Sequence, residues 1–326
     1  MKKINWGIIG CGNVTEIKSG PAFNKVKNSS LVAVMRRDAE KAKDYATRHQ
    51  VPKWYDDATK LINDPDVNAI YIATPPSLHE EYALQAINAG MPVYVEKPMT
   101  LNYDSAKRIM KAAEEKNVKL SVAHYRRGQP FFNKIKQLID DKIIGDIRVV
   151  QLEFYKKLMS DEQMNLPGNK WRIDAAVSGG GLFHDLAPHQ IDLMYYLFGD
   201  VKSVNGISVN QSKRYNAEDV VLGNILFKNG VVFNGVWCFN CSKDDARDNC
   251  KIVGSEGSIS FSVFNEQQLV IHKNNTDDII SFTPPLHVQQ PLIEKVVSYF
   301  LDEGPNPCGA KEGAEVMRLL DAITKK

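Results

Sequence analysis

A lysine, an aspartate and a histidine stand where the sequence suits them to acid–base chemistry at a hydroxyl group. Lys97 follows directly after the apolar run Val93 to Val95, and Asp185 lies four residues before His189. On a helix this spacing puts both side chains on one face. A neutral imidazole removes a hydroxyl proton near pH 7, and an ammonium stabilises a developing alkoxide. These three residues are candidate catalytic groups for alcohol oxidation or ketone reduction.

Three glycines precede the segment that carries the aspartate and the histidine. An Asp and a His at helical spacing often form a surface pair, but Gly179-Gly180-Gly181 indicates backbone packed close to something else. His184 projects away from the face shared by Asp185 and His189, so we assign it no catalytic role. Asp192 either orients the His189 imidazole or forms a surface salt bridge, and both readings stay open.

A glycine-rich turn follows the first apolar run of the chain. Asn5 to Ile9 leads into Gly10-Cys11-Gly12-Asn13-Val14-Thr15. Gly10 and Gly12 permit a tight turn and close backbone approach to a pyrophosphate, and we expect an amphipathic helix after them. Thr15 replaces the third glycine or alanine of the usual fingerprint. The order of strand, turn and helix at the chain start predicts dinucleotide binding by Gly10, Gly12, Asn13 and Val14.

Two arginines follow the second apolar run, which reads Val34-Met35-Arg36-Arg37-Asp38. NAD-binding domains usually carry an acidic residue here for the ribose hydroxyls. Arg36 and Arg37 instead favour the 2′-phosphate of NADP, because the guanidinium group matches phosphate geometry. NAD is the alternative, with the arginines solvated and Asp38 turned inward.

Two kinds of element must position these residues. The first 123 residues alternate apolar runs with amphipathic segments, which predicts an α/β, doubly wound parallel sheet of the Rossmann type. After His124, long alternating runs without intervening helices predict a second, α+β domain built on a large, mostly antiparallel sheet. One helix, Leu182 to Leu197, interrupts that sheet, and helical periodicity returns in Gln290 to Leu301 and Ala310 to Ile323. The predicted domains are therefore 1–123 and 124–326.

Three further segments carry a resemblance to a known family. They are, in chain order, Ala73-Thr74-Pro75-Pro76-Ser77-Leu78-His79, then Glu96-Lys97-Pro98, then Gly179 to Asp192. With the glycine turn, this ordered set resembles the glucose-fructose oxidoreductase, inositol dehydrogenase and rhizopine-catabolism (Gfo/Idh/MocA) family over essentially the whole chain. The resemblance implies an NAD(P)-dependent oxidoreductase that acts on CH–OH groups of a sugar or polyol, with Lys97, Asp185 and His189 as the catalytic trio.

The resemblance also implies further roles. Domain 1–123 would bind NADP, or NAD, and domain 124–326 would bind substrate. Apart from the resemblance, burial of an exposed face of the second-domain sheet favours a homodimer or homotetramer. Additional cofactor contacts are implied for Thr74, Pro76, His79, Glu96, Lys97, Trp171 and Arg172. Unsaturated diols and anhydro-sugars are alternative substrates. A catalytically silent NAD(P)-sensing regulator or scaffold of the same fold is the rival reading.

Two cationic segments, His124-Tyr125-Arg126-Arg127 and Tyr155-Lys156-Lys157, are possible specificity elements. Such cations suit a carboxylated or phosphorylated sugar. Solvated charges at strand ends explain them equally well.

Charge and cysteine content exclude other classes of function. With 41 basic and 39 acidic residues the chain has no general field to attract nucleic acid or a membrane. Five cysteines outline no disulfide framework, which agrees with a cytoplasmic location. Cys238 and Cys241 form a CxxC, but its strand-like setting without a fourth ligand favours packing over a metal site. The start of the chain leaves no room for a signal peptide.

Overall fold

The computed structural model describes residues 2–265 and 267–325, in two compact units. The first unit holds residues up to Gln129 together with Pro285–Met317, and the second holds Pro130–Pro284 with the residues from Arg318. The predicted domains were 1–123 and 124–326. The structure thus extends the first unit past residue 123 and adds to it a C-terminal segment that the sequence pattern grouped with the second domain.

A six-stranded parallel sheet, with the order β3-β2-β1-β4-β5-β6, forms the first unit. Its strands are β1 (Ile4–Ile9), β2 (Ser29–Met35), β3 (Lys53–Tyr55), β4 (Ala69–Ile72), β5 (Val93–Val95) and β6 (Leu120–Val122). Strands β4, β5 and β6 are buried at every position, as expected for strands covered on both faces. The sequence order reverses between β1 and β4, where such sheets bind ligands. The doubly wound fold is confirmed, although β3 was not predicted.

Helices connect these strands, and several begin at a side-chain cap. They are α1 (Asn13–Ile17), α2 (Ala39–Arg48), α3 (Ala58–Ile62), α4 (His79–Asn88) and α5 (Tyr103–Glu115). The carboxylates of Asp38 and Asp57 and the amide oxygen of Asn102 accept hydrogen bonds from main-chain N–H groups of the first turns of α2, α3 and α5.

The second unit is built on an eight-stranded sheet of order β14-β13-β12-β11-β7-β10-β9-β8. It contains α6 (Pro130–Asp140), β7 (Ile147–Lys157), α7 (Asp161–Asn165), α8 (Pro167–Lys170), α9 (Ala175–Ser178), α10 (Gly181–Phe198), β8 (Val201–Val209), β9 (Val220–Phe227), β10 (Val232–Cys241), β11 (Arg247–Gly254), β12 (Ser258–Phe261), β13 (Gln268–Lys273) and β14 (Thr276–Ser281). Among the described strands of this sheet only β7 and β10 pair in parallel, so the sheet is mostly antiparallel, as predicted. Strands β13 and β14 were not predicted.

The C-terminal helices are α11 (Gln290–Phe300) and α12 (Ala310–Thr324). Helix α11 belongs to the first unit because its apolar face is buried in that unit's core. Leu292, Val296 and Phe300 pack there with Ile4 and Trp6 of β1. No helix within the described ranges is both long enough and apolar enough to cross a membrane.

Candidate active site

The two glycines of the turn after β1 have different structural roles. Gly10 has φ +94°, and a Cβ there would lie 2.7 Å from Cγ2 of Thr74. Gly12 is extended, and the nearest atom to a Cβ built there is the Gly10 carbonyl oxygen at 3.9 Å. The first glycine therefore allows the turn to pack against the end of β4, whereas the second faces open space that a ligand can enter.

The helix after this turn is shorter than the sequence suggested. Helix α1 has only five residues, so its dipole is small and the expected amphipathic helix is absent. Thr15, at the third fingerprint position, is buried, and its hydroxyl donates to the Gly12 carbonyl oxygen at 2.8 Å. The Tyr45 hydroxyl of α2 donates to the Thr15 carbonyl oxygen at 2.8 Å. The turn is thus supported by the side chains of Thr15 and Tyr45.

A cleft of about 310 Å³ opens at the carboxyl ends of β1, β2 and β4. It is lined by Gly10, Cys11, Gly12, Met35, Arg36, Arg37, Asp38, Lys41, Ala73, Thr74, Pro75, Leu78 and Tyr82. The Thr74 hydroxyl oxygen is buried and has no hydrogen-bond partner among the described residues. A dinucleotide fits this cleft, because the open face of Gly12 admits a phosphate and Thr74 offers an unused polar group.

Cations dominate the edge of the cleft after β2. The Arg36 guanidinium is half-buried and donates to the Cys11 carbonyl oxygen at 3.4 Å, and Arg37 is exposed. The Asp38 carboxylate caps α2 and lies 2.5 Å from the Lys41 ammonium. Hydrogen bonds from Lys41 lower the pKa of Asp38. Asp38 is therefore engaged by its own helix, which disfavours its use on a ribose.

The neighbours of Lys97 at the end of β5 are buried and hydrogen-bonded. The Glu96 carboxylate accepts from the Tyr71 hydroxyl at 2.5 Å and from the Gln289 amide at 2.6 Å. The His79 ring lies within 2.9 Å of the Pro98 carbonyl oxygen and 2.8 Å of the Thr74 carbonyl oxygen. Burial lowers the pKa of His79. His79 and Glu96 thus contact neighbouring protein groups, and their implied cofactor contacts stay a prediction.

The predicted cofactor residues fall into three sets. Gly10, Gly12, Arg36, Arg37 and Thr74 line the cleft. Asn13, Val14, Pro76, His79, Glu96 and Lys97 belong to the same unit without lining it, whereas Trp171 and Arg172 belong to the second unit.

In the second unit, α10 starts at the predicted glycines. Gly179, Gly180 and Gly181 all have positive φ, and a Cβ on Gly181 would lie 2.4 Å from the Ala217 Cβ. The Ser178 hydroxyl accepts from the Gly181 N–H at 2.8 Å. The backbone is therefore packed closely here, as the sequence indicated.

Helix α10 buries both of its candidate catalytic side chains. The Asp185 carboxylate pairs with Nε of Arg172 at 2.8 Å, and the Arg172 guanidinium stacks 4.5 Å from the Trp171 ring centroid. His189 packs its ring edge-on to Phe264 at 5.5 Å. Asp192 is also buried, which removes the surface salt bridge from its two readings.

The remaining candidates from the sequence differ in burial. Arg126 and Arg127 are buried, so solvated charge is the wrong reading for them, whereas Lys156 and Lys157 are exposed. Cys238 and Cys241 are free thiols and only half-buried, so the expected buried packing is incomplete. The described ranges contain no group of three or more potential metal ligands.

Sequence reasoning missed three residues of the first unit. Lys41 and Tyr82 line the cleft from α2 and α4, and buried Gln289 contacts Glu96 from the C-terminal segment. The helical spacing after Arg37 was a usable signal for Lys41. No local pattern marks Gln289, because its partner is distant in sequence.

Two family models match most of the chain. Residues 4–124 match an oxidoreductase family with an NAD-binding Rossmann fold, and residues 132–260 match the GFO/IDH/MocA C-terminal domain. An oxidoreductase of Formosa agariphila is 47% identical over 325 residues, which is 98% of each chain. The scyllo-inositol 2-dehydrogenase (NADP(+)) of Bacillus subtilis is 32% identical over 67% of this chain and 57% of its own.

Solved structures share the fold. A levoglucosan dehydrogenase in complex with NADH and levoglucosan superposes with a TM-score of 0.86 at 23% identity, covering 98% of this chain and 96% of its own. At that identity the likeness speaks for the fold alone, and membership follows from the family models and the Formosa relative. The chain is an oxidoreductase of the Gfo/Idh/MocA family, as its motifs predicted.

Proposed function

We propose that this oxidoreductase transfers a hydride between NADP(H) and a CH–OH or ketone carbon of a sugar or polyol. The observation that carries the proposal is the cleft at the carboxyl ends of β1, β2 and β4, which combines an open glycine turn with a cationic edge. When bound, the nicotinamide supplies or accepts the hydride. The protein must hold the dinucleotide and manage the hydroxyl proton.

The preference for NADP rests on charge at the edge of the cleft. Arg36, Arg37 and Lys41 all line it, and the only acidic residue in its lining, Asp38, is held by Lys41 and the start of α2. A 2′-phosphate carries close to two negative charges, and arginine donors match its oxygens. A ribose hydroxyl would instead need a free carboxylate.

Three side chains are suited to removing the proton of the substrate hydroxyl and stabilising the alkoxide that forms. We assign His189 as the base that takes the hydroxyl proton during oxidation. Arg172 pairs with the Asp185 carboxylate and orients it, so that the carboxylate holds a substrate hydroxyl. The ammonium of Lys97 stabilises the developing alkoxide. Trp171 fixes Arg172 by stacking.

The substrate class draws support from the relatives. Their names include a 1,5-anhydro-D-fructose reductase of Ensifer adhaerens and a trans-1,2-dihydrobenzene-1,2-diol dehydrogenase of Xenopus laevis, besides the inositol enzyme above. These compounds share a hydroxyl or ketone on a six-membered ring. A neutral cyclic polyol or keto-sugar is the class that unites them.

A panel of substrates tests this proposal. We expect NADPH oxidation, followed by absorbance, with at least one of 1,5-anhydro-D-fructose and related cyclic keto-sugars, or NADP+ reduction with scyllo-inositol or levoglucosan. His189→Gln and Lys97→Met should each lower kcat by about 10²- to 10⁴-fold with retained folding. The exposed-residue variants His272→Gln and Lys111→Met are matched controls with unchanged rates. No turnover with any compound would favour the cofactor-sensing regulator.

The open face of the eight-stranded sheet supports a homo-oligomer. Ile207, Leu222 and Val236 form a cross-strand row on this face, and Ile207 is 59% exposed. Asn205, Asn224 and Asn234 form the next row and are hydrogen-bonded to one another. A second copy placed on this face by a twofold axis would bury the apolar row. Light scattering should give a dimer or tetramer, and a monomer at micromolar concentration would contradict the assignment.

A further inference from the structure

We propose that Gln289, outside every motif of the chain, is a positioning residue that fixes the main chain of Lys97 by holding the Glu96 side chain. The inference rests on the proposed function in one respect, the catalytic role of Lys97. Gln289 lies just before α11, in the C-terminal segment that packs in the first unit. Its side chain is fully buried.

The Glu96 carboxylate collects three donors around the end of β5. The Gln289 Nε2 donates to Oε1 at 2.6 Å, and the Tyr71 hydroxyl donates to the same oxygen at 2.5 Å. The Lys97 N–H donates to Oε2 at 3.1 Å. A buried carboxylate must keep such partners, so its position is set by the groups that donate to it. Through Oε2, that position fixes the peptide that precedes the Lys97 side chain.

Gln289 is itself anchored at two further points. Its main-chain N–H donates to the Lys18 carbonyl oxygen at 3.2 Å, directly after α1, and the Tyr94 hydroxyl donates to its Oε1 at 3.4 Å. One residue therefore joins the element that follows the glycine turn to the strand that carries Lys97. On the other side of Lys97, Nδ1 of the buried His79 ring lies 2.9 Å from the Pro98 carbonyl oxygen. Both chain neighbours of Lys97, Glu96 and Pro98, therefore contact buried side chains.

Removal of the Gln289 amide should release this end of β5. The carboxylate would lose a short donor and shift to regain one, and Lys97 would shift with it. A displacement of about 1 Å at a reacting group lowers turnover by about 10²-fold. Cofactor affinity should change much less, because the cleft residues keep their own contacts.

Hydrogen exchange tests the positioning without any turnover. In Gln289→Leu, the peptide over residues 96–100 should exchange about 10-fold faster than in the wild type, as expected for loss of a hydrogen bond to a charged group. Gln290→Leu is the matched control, since the Gln290 side chain donates to the Glu294 carboxylate one helical turn away, and the change should leave this peptide unchanged. Equal exchange in wild type and Gln289→Leu would overturn the proposal.

A charge swap separates the specific contact from general damage to the core. Gln289→Glu places a second carboxylate against Glu96 and should accelerate exchange further. Adding Glu96→Gln restores an amide–carboxylate pair in reverse and should recover at least half of the lost protection. Failure of the swap to recover any protection, in a folded protein, would show that the Gln289–Glu96 contact does not set the Lys97 position.

Kinetics then tie the positioning to the reaction. With a substrate found in the panel, Gln289→Leu should lower kcat by about 10- to 100-fold and leave the KM for NADPH within about threefold. A change confined to KM would contradict the positioning role. If the wild type turns over no compound of the panel in either direction, the proposed function fails, while the exchange experiment still decides whether Gln289 holds residue 97.

Discussion

Some side chains around the glycine turn stabilise the turn, and others line the edge of the cleft. The hydroxyls of Thr15 and Tyr45 hold the turn by hydrogen bonds to its main chain. Gly10 has no side chain and so leaves room for Thr74. The hydroxyls of Thr15 and Tyr45 are therefore occupied by protein partners. The cations Arg36 and Arg37 are the side chains left for an anion at the edge.

Cofactor choice is the prediction that belongs to single residues. Arg36→Asp should weaken NADPH binding by about 10- to 100-fold, since each hydrogen bond to a charged group contributes about 1.5–3 kcal/mol, and should leave NADH nearly unchanged. Fluorescence titration with each nucleotide gives the two affinities. The exposed Arg148→Asp in the second unit is the control. Equal weakening of both nucleotides would disprove the phosphate assignment.

Helix α1 is too short to hold its place by its own hydrogen bonds. Isolated segments of five residues are not stable helices, so α1 depends on contacts with α2. Arg48 at the end of α2 forms two hydrogen bonds, of 2.8 and 2.9 Å, with the Glu16 carboxylate, and His49 contacts the same group at 2.7 Å. The glycine turn is therefore braced through Glu16.

This brace predicts a dependence of stability on pH. The Arg48 hydrogen bonds, followed by His49, lower the pKa of Glu16 from 4.5 to about 2. A depressed folded-state pKa stabilises the protein fully above pH 4.5, and the contribution is lost as the pH falls toward 2. Glu16→Gln should lower the urea midpoint at pH 7, and the difference from wild type should shrink by pH 3.5.

Because Glu16 and Arg48 are partly exposed, the effect should be modest. Glu40→Gln, which changes an exposed residue at the start of α2, provides the control and should alter the urea midpoint neither at pH 7 nor at pH 3.5. A Glu16→Gln difference that grows on acidification would contradict the brace.

For the whole molecule, the notable feature is that the first unit is discontinuous in sequence. Helix α11 follows the second unit along the chain but completes the core of the first. The Phe300 ring lies 5.6 Å from the Trp6 ring of β1. The nucleotide-binding unit thus depends on residues some 300 positions from its first strand.

Truncation of Phe300 tests this dependence. Phe300→Ala should destabilise the first unit by about 3–5 kcal/mol, the range for a large buried aromatic side chain. Hydrogen exchange should accelerate in β1, Ile4–Ile9, and NADPH should partly restore protection by mass action. Phe261→Ala is the counterpart in the core of the second unit and should act on β12 instead. Loosening of β12 by Phe300→Ala, with β1 unchanged, would contradict the assignment.

The sequence by itself determined the features that depend on neighbours along the chain. Alternation and helical periodicity located most strands and helices, because burial of one face imposes a period of two or 3.6 residues. The glycine turn, Glu96-Lys97-Pro98 and the α10 segment identified the family for the same reason: each motif is contiguous. The short β3 and the exposed β14 escaped because neither shows that pattern.

Only the tertiary structure decided which distant residues meet. It moved Pro285–Met317 into the first unit, showed Arg126 and Arg127 as buried, and placed Gln289 on Glu96 across 193 residues of sequence. Contacts of this kind form when apolar surface is buried and buried polar groups find partners, and both choices depend on the whole packed chain. No local pattern records them.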